Sequence, residues 1–266
     1  MIMRWLAAVA AAVLLVAPAS AAQCGGDFNT FLANMAREAQ AAGVSRSVVD
    51  SAFAGVTSDP AVLAFDRRQR GTFRKTFEEY AATRVSQGRI TRGKQLLQRH
   101  AQLLGRIEQQ FSVPPQLIVA IWGLETDFGT GDMGKLPVVR VVATLAHDCR
   151  RTELFQRELI AALQILQRGD LPLQELVGAY AGELGQTQFL PSSYIKYGVD
   201  YDGNRHVDLR RSVPDVLAST ANLLKVNGWR TGQPYGEGTE NFEVMREWNR
   251  AVVYRKTIGY FADRLR

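Results

Sequence analysis

The sequence predicts a mainly α-helical fold with little β structure, on three observations. Apolar residues recur every three or four positions through most of the chain, alternating strand patterns are scarce, and no internal repeat or low-complexity linker divides it. Asp27 stands as an N-cap before Phe28, Phe31, Leu32 and Met35, which share one face of a first helix. Leu96, Leu97, His100, Leu103, Leu104, Ile107 and Phe111 keep the same period over one long helix. Ser112-Val113-Pro114-Pro115 ends it and starts the next, because proline fits a first turn. Residues 117–125 then form a short, very apolar helix. Residues 152–167 form another, striped by Leu154, Phe155, Leu159, Leu163 and Leu166. Ser212-Val213-Pro214-Asp215 reads as a capping box ahead of a helix over 216–226, and the tail from Asn241 to Arg266 is again mostly helical.

Of the 266 residues, 46% are hydrophobic and 22% charged, which excludes a disordered chain and leaves ample material for a core. Lys+Arg 32 against Asp+Glu 26 gives a net +6, scattered rather than gathered in a stripe. A nucleic-acid partner is therefore not expected, whereas an anionic polymer stays open. Residues 1–21 read as a secretory signal: Arg4, an apolar run from Trp5 to Ala17, then Pro18-Ala19-Ser20-Ala21 as a small-residue cleavage site. That run is shorter than the about 20 residues of a membrane span. Gln23 stands where lipid attachment at Cys24 would want a small residue, and no later stretch is long and apolar enough to cross a bilayer. Export bears on the two cysteines, which are too few for a disulfide-dense scaffold or a four-cysteine zinc site. In an oxidising compartment Cys24 and Cys149 can pair; two unpaired thiols are the alternative.

Three segments carry candidate chemistry. In Gly123-Leu124-Glu125-Thr126-Asp127-Phe128-Gly129, Glu125 shares a helix face with Ile118 and Ile121, close to the helix's C-terminal end. Burial and the negative end of the helix dipole both disfavour its charged form, which suits a general acid. The other placement left open is a helix-end glutamate facing solvent, with Asp127 a turn residue. Tyr180-Ala181-Gly182-Glu183-Leu184-Gly185-Gln186-Thr187-Gln188-Phe189-Leu190-Pro191-Ser192-Ser193-Tyr194 sets amides and hydroxyls beside aromatics, as sugar-binding loops do. Finally, Asp200, Asp202, Asn204 and His206 have the one-three-five-seven spacing of an EF-hand loop. Arg205 replaces its glycine and Arg211 its closing glutamate; Asp215 could supply the missing carboxylate. His100 and Trp122 read as core, and His147 and His206 lack a paired serine or cysteine motif.

Together these segments, with Trp248-Asn249-Arg250-Ala251-Val252-Val253-Tyr254, resemble the lytic murein transglycosylases of the membrane-bound B type. The resemblance covers essentially all of residues 22–266 and implies a lysozyme-like helical catalytic domain, without the C-terminal peptidoglycan-binding domain that many relatives carry. It implies Glu125 as sole acid and base, Gln188 and Tyr254 in the sugar groove, and with them Glu183, Ser192, Ser193 and Tyr194. It implies a structural calcium ion on Asp200, Asp202, Asn204, His206 and Asp215, with Asp215 set further along than in the family's usual spacing. No cofactor is needed for the chemistry. The implied partner is the peptidoglycan glycan strand, met by a single chain in the periplasm. The implied reaction is non-hydrolytic cleavage of the MurNAc-β-1,4-GlcNAc bond, leaving a 1,6-anhydro end. A lysozyme-like hydrolase using the same glutamate, and a non-catalytic peptidoglycan-binding protein, are the competing readings.

Overall fold

The computed structural model describes residues 22–68 and 75–266; the export-signal reading falls on residues 1–21, outside the described residues. The chain runs through α1 (Phe28–Ala41), α2 (Arg46–Phe53), α3 (Pro60–Arg68), α4 (Phe77–Arg84), α5 (Gln87–Arg99) and α6 (Ala101–Phe111). It continues through α7 (Pro115–Thr126), α8 (Val138–His147), α9 (Thr152–Arg168), α10 (Pro191–Tyr197), α11 (Val213–Val226), α12 (Glu240–Val244) and α13 (Val252–Arg264). The one sheet among the described residues is an antiparallel pair, β1 (Leu136–Pro137) with β2 (Val177–Gly178). The expected mainly α-helical architecture is present.

Helix α7 is the hub. It starts at Pro115, whose ring suits a first turn. Every residue from Leu117 to Leu124 is buried, so the helix is apolar all round, as an enclosed helix must be. Helices α5, α6, α11 and α13 pack around it. Gly123 makes room for α13: a Cβ there would lie 2.8 Å from the Phe261 ring on α13 and 2.7 Å from Phe128. At the other side α8 and α9 form a packed pair, joined by α10 and by α1. A disulfide between Cys24 and Cys149, 125 positions apart, ties the segment before α1 to the turn between α8 and α9. Closing a loop of that length is worth about 4–5 kcal/mol in the chain-entropy model. Among the described residues no helix is long and apolar enough to cross a membrane.

Two local expectations are corrected, and one helix was not anticipated. The long helix over 96–111 is two helices, because the backbone leaves helical geometry at His100 (φ −103, ψ 17). The change of direction lets α5 pack on α7 and α6 on α11, while the His100 ring sits edge-on to Trp122 at 6.2 Å. The capping box at α11 is only half formed. Ser212 Oγ accepts from the Asp215 amide at 3.4 Å, and the helix begins at Val213. The Asp215 carboxylate does not return the bond, because it accepts from a loop instead. Helix α8 had no expectation at all: Val138, Val139, Val141, Val142, Ala143, Leu145 and Ala146 are buried, while Arg140 and His147 stay partly exposed.

Candidate active site

Glu125 is the penultimate residue of α7 and, between Leu117 and Thr126, the one that is not fully buried. Two neutral donors from the far side of the fold meet its carboxyl. Trp248, in the turn after α12, donates its indole N–H to Oε1 at 2.9 Å. Tyr254, in the first turn of α13, donates its hydroxyl to the same oxygen at 2.5 Å. The enclosed placement therefore holds, not the solvent-facing one. Burial pushes the Glu125 carboxyl above its ordinary range; the two donors pull it back in part, the charge of Glu183 pushes it further up, and Arg84 opposes. Burial, together with the Glu125 charge, also carries the Tyr254 hydroxyl well above its usual value. Asp127 closes α7 in left-handed backbone (φ 51) and accepts from Arg89 at 3.0 Å, so it is a turn residue held away from the Glu125 carboxyl's donors.

A groove of about 440 Å³ opens over Glu125 and is lined further by Glu183, Gln188, Phe189, Ser193, Trp248 and Asn249. The glycine-bearing loop that forms one wall is built from backbone outward. Leu184 and Phe189 form an antiparallel bridge, and Gln188 takes left-handed backbone (φ 53) inside it. Gly185 (φ 72) is required there, since a Cβ would lie 2.2 Å from the Leu209 carbonyl oxygen. The Gln186 side chain anchors the loop to α7 by accepting the Trp122 indole N–H at 2.9 Å. Trp122 is thus core, as expected. Gln188 Nε2 donates to the Gly185 carbonyl at 2.9 Å, which fixes the amide at the groove wall.

Not every candidate reaches the groove. Tyr194 is fully buried with its hydroxyl donated to the Val207 carbonyl, so its polar tip serves the core. Ser192, the second residue of α10, has both its amide and its hydroxyl on the Glu158 carboxylate, at 2.8 and 2.7 Å. Ser193 and Glu183 do line the groove. Trp248 and Arg151, which line it too, were assigned no role from the sequence; Trp248 entered only within the segment that carries the resemblance, and their partners Glu125 and Asp66 lie far along the chain.

In the acidic loop, carboxyl oxygens of Asp200, Asp202 and Asp215 lie within 4.8 Å of one another. Asn204 and the His206 backbone carbonyl, the ligand expected at position seven, belong to the same loop. Asp200 accepts the amides of Gly203, Asn204 and Arg205, while Asn204 turns its own side-chain oxygen to the His206 amide at 2.8 Å. Three converging carboxylates in a loop rich in oxygen donors fit a hard divalent cation such as calcium.

A family model described as the transglycosylase SLT domain matches residues 27–238. The membrane-bound lytic murein transglycosylase B of Escherichia coli (strain K12) is 42% identical over 131 residues, which is 48% of this chain and 36% of that protein. The matched stretch thus spans about a third of the curated relative's length. The crystal structure of SltB3 from Pseudomonas aeruginosa in complex with NAG-NAM-pentapeptide superposes with a TM-score of 0.83 at 32% identity, over 90% of this chain and 79% of that one. The Escherichia coli lytic transglycosylase Slt35 in complex with calcium shares the fold, with a TM-score of 0.77 at 24% identity over 92% and 96% of the two chains.

Proposed function

The chain belongs to the transglycosylase SLT family, and from that premise we propose that it is a peptidoglycan lytic transglycosylase with Glu125 as its single acid and base. The observation that carries the proposal is Glu125 itself, held between the Tyr254 hydroxyl and the Trp248 indole in a groove that a glycan strand can fill. Protonated Glu125 gives its proton to the glycosidic oxygen as the MurNAc-β-1,4-GlcNAc bond breaks. The substrate's N-acetyl group stabilises the cationic carbon, as in substrate-assisted glycosidases. Ionised Glu125, now stabilised by its two donors, takes the proton of the sugar's C6 hydroxyl, which closes a 1,6-anhydro ring. Attack from within the same sugar has a high effective molarity and outcompetes water. Gln188, Ser193 and Glu183 hold the sugars along the wall.

One observation favours a second reading. Glu183 gives the groove another carboxylate, and a hydrolase of lysozyme type uses two. Calcium enters the proposal only as a brace. Asp200, Asp202 and Asp215, with Asn204 and His206 beside them, would hold it and so tie the loop to α11. No catalytic step passes through the ion. The working place implied by the amino-terminal segment is the periplasm, on the glycan strands of the wall. Incubating the purified protein with sacculi, with and without a chelator, tests both parts. Release of soluble muropeptides supports the activity and its absence overturns it; a chelator that lowers the unfolding temperature supports the brace.

A further inference from the structure

Among the described residues, Tyr180 is the one exposed large aromatic side chain, 39% accessible. It occupies the tip of a tight turn. The Gly182 amide donates to the Ala179 carbonyl at 3.0 Å, and the Ala179 amide donates to the Glu183 carbonyl at 2.9 Å. The groove carboxylate of Glu183 closes the same turn by accepting the Ala181 amide at 2.9 Å. Tyr180 is therefore one residue from Ala181 and three from Glu183, both of which line the groove.

The ring is also held from beneath. Phe65, in α3, stacks on it face to face, with centroids 3.9 Å apart and planes 13° from parallel. The next residue on α3, Asp66, pairs with Arg150 and with Arg151, and Arg151 lines the groove. One helical turn of α3 thus props two parts of the groove's rim, Tyr180 through Phe65 and Arg151 through Asp66. A tyrosine that packs one face on a phenylalanine and leaves 39% of its surface accessible is a preformed flat platform, ordered before any ligand arrives. Pyranose rings present apolar C–H faces of matching size, and their hydroxyls can stay in water around such a ring.

We propose that Tyr180, seated on Phe65, forms an additional sugar-binding subsite at the rim of the groove, where a pyranose of the glycan strand beyond the cleaved bond stacks. The inference rests on the glycan-strand reading of the groove and extends it to an element, α3, that no sequence motif marks. Its consequence is a preference for longer strands, because a short saccharide filling the groove alone leaves the platform empty.

The test uses the full chain carrying Glu125→Gln, so that nothing is cut, and peptide-free glycan strands sorted by length, with binding followed by calorimetry. Tyr180→Ala should weaken the longer strands by roughly three- to tenfold, the worth of one aromatic stack, while a disaccharide loses little. Tyr180→Trp should restore the affinity, and Phe65→Ala should reproduce part of the loss with the groove intact. Unchanged affinity in Tyr180→Ala overturns the subsite, as does an equal loss for disaccharide and long strand. If the Glu125→Gln parent itself binds no peptide-free strand, the glycan reading fails and takes the subsite with it.

Discussion

Glu125 and Asp215 are both buried carboxyl groups on helices, and nearly everything around them is opposite. Glu125 lies in the last turn of α7, where the helix dipole opposes a negative charge; Asp215 lies in the first turn of α11, where the dipole favours one. Burial pushes both carboxyls up. At Glu125 the compensation is two neutral side-chain donors on one oxygen. At Asp215 it is three backbone amides shared over both oxygens: Tyr201 at 2.8 Å and Asp202 at 3.3 Å on Oδ1, Asp208 at 2.9 Å on Oδ2. On the proposed mechanism the first keeps and passes on a proton, while the second anchors a loop. Burial alone does not separate the two; the donors and the helix end do.

The largest effect that can break this contrast is in turnover. Glu125→Gln keeps an oxygen for both donors but has no proton to give, so activity on sacculi should fall by at least about 10²–10⁴-fold with the circular dichroism unchanged. Near-normal solubilisation would remove Glu125 from the chemistry. The same kind of substitution at the other carboxyl should act on stability. Asp215→Asn must turn an NH₂ toward an amide donor, and it should cost about 1–3 kcal/mol in denaturant titrations. Glu125→Gln should have the opposite sign. A carboxyl whose folded-state value is raised supplies stability that is complete below its unfolded value, about 4.3, and is lost as pH rises through the folded value. At pH 8 Glu125→Gln should therefore be at least as stable as the parent, and the difference should vanish below about pH 4.

Two smaller effects sharpen the comparison. Tyr254→Phe removes a donor that favours the ionised carboxyl, so the Glu125 value rises further. The alkaline limb of the pH–rate profile should move to higher pH, and the maximal rate should drop by roughly tenfold, since the ionised base is no longer supported. A limb that stays in place or moves down would contradict the assignment. Last, calcium at millimolar concentration should raise the unfolding temperature by a few degrees, on the order expected for weak extracellular sites, and Asp200→Asn with Asp202→Asn should abolish that rise.

How much of this could be read in advance follows from where the partners lie. Glu125 stands out because it is a carboxylate in a run of apolar residues behind a proline start, and Cys24 with Cys149 because two cysteines allow one intramolecular pairing. Helix α8 was missed although it carries a stripe, with Arg140 and His147 on the outward side and valines within; no side-chain cap at Pro137 marks its start. Tyr194 shows the limit of reading polarity as function. It belongs to the polar loop yet gives its hydroxyl to the Val207 carbonyl inside the core. The partners of Glu125 are 123 and 129 positions away, so no local pattern could bring Trp248 to it, and Tyr254 was anticipated only through the resemblance.

The central claim, that one glutamic acid cuts the strand and closes a ring without water, is tested most directly by weighing the products. Sacculi digested with the purified protein should yield muropeptides one water lighter than hydrolysis products, ending in 1,6-anhydro sugars, and Glu125→Gln should yield none. Products that end in ordinary reducing sugars would assign the groove to a hydrolase and return Glu183 to the chemistry.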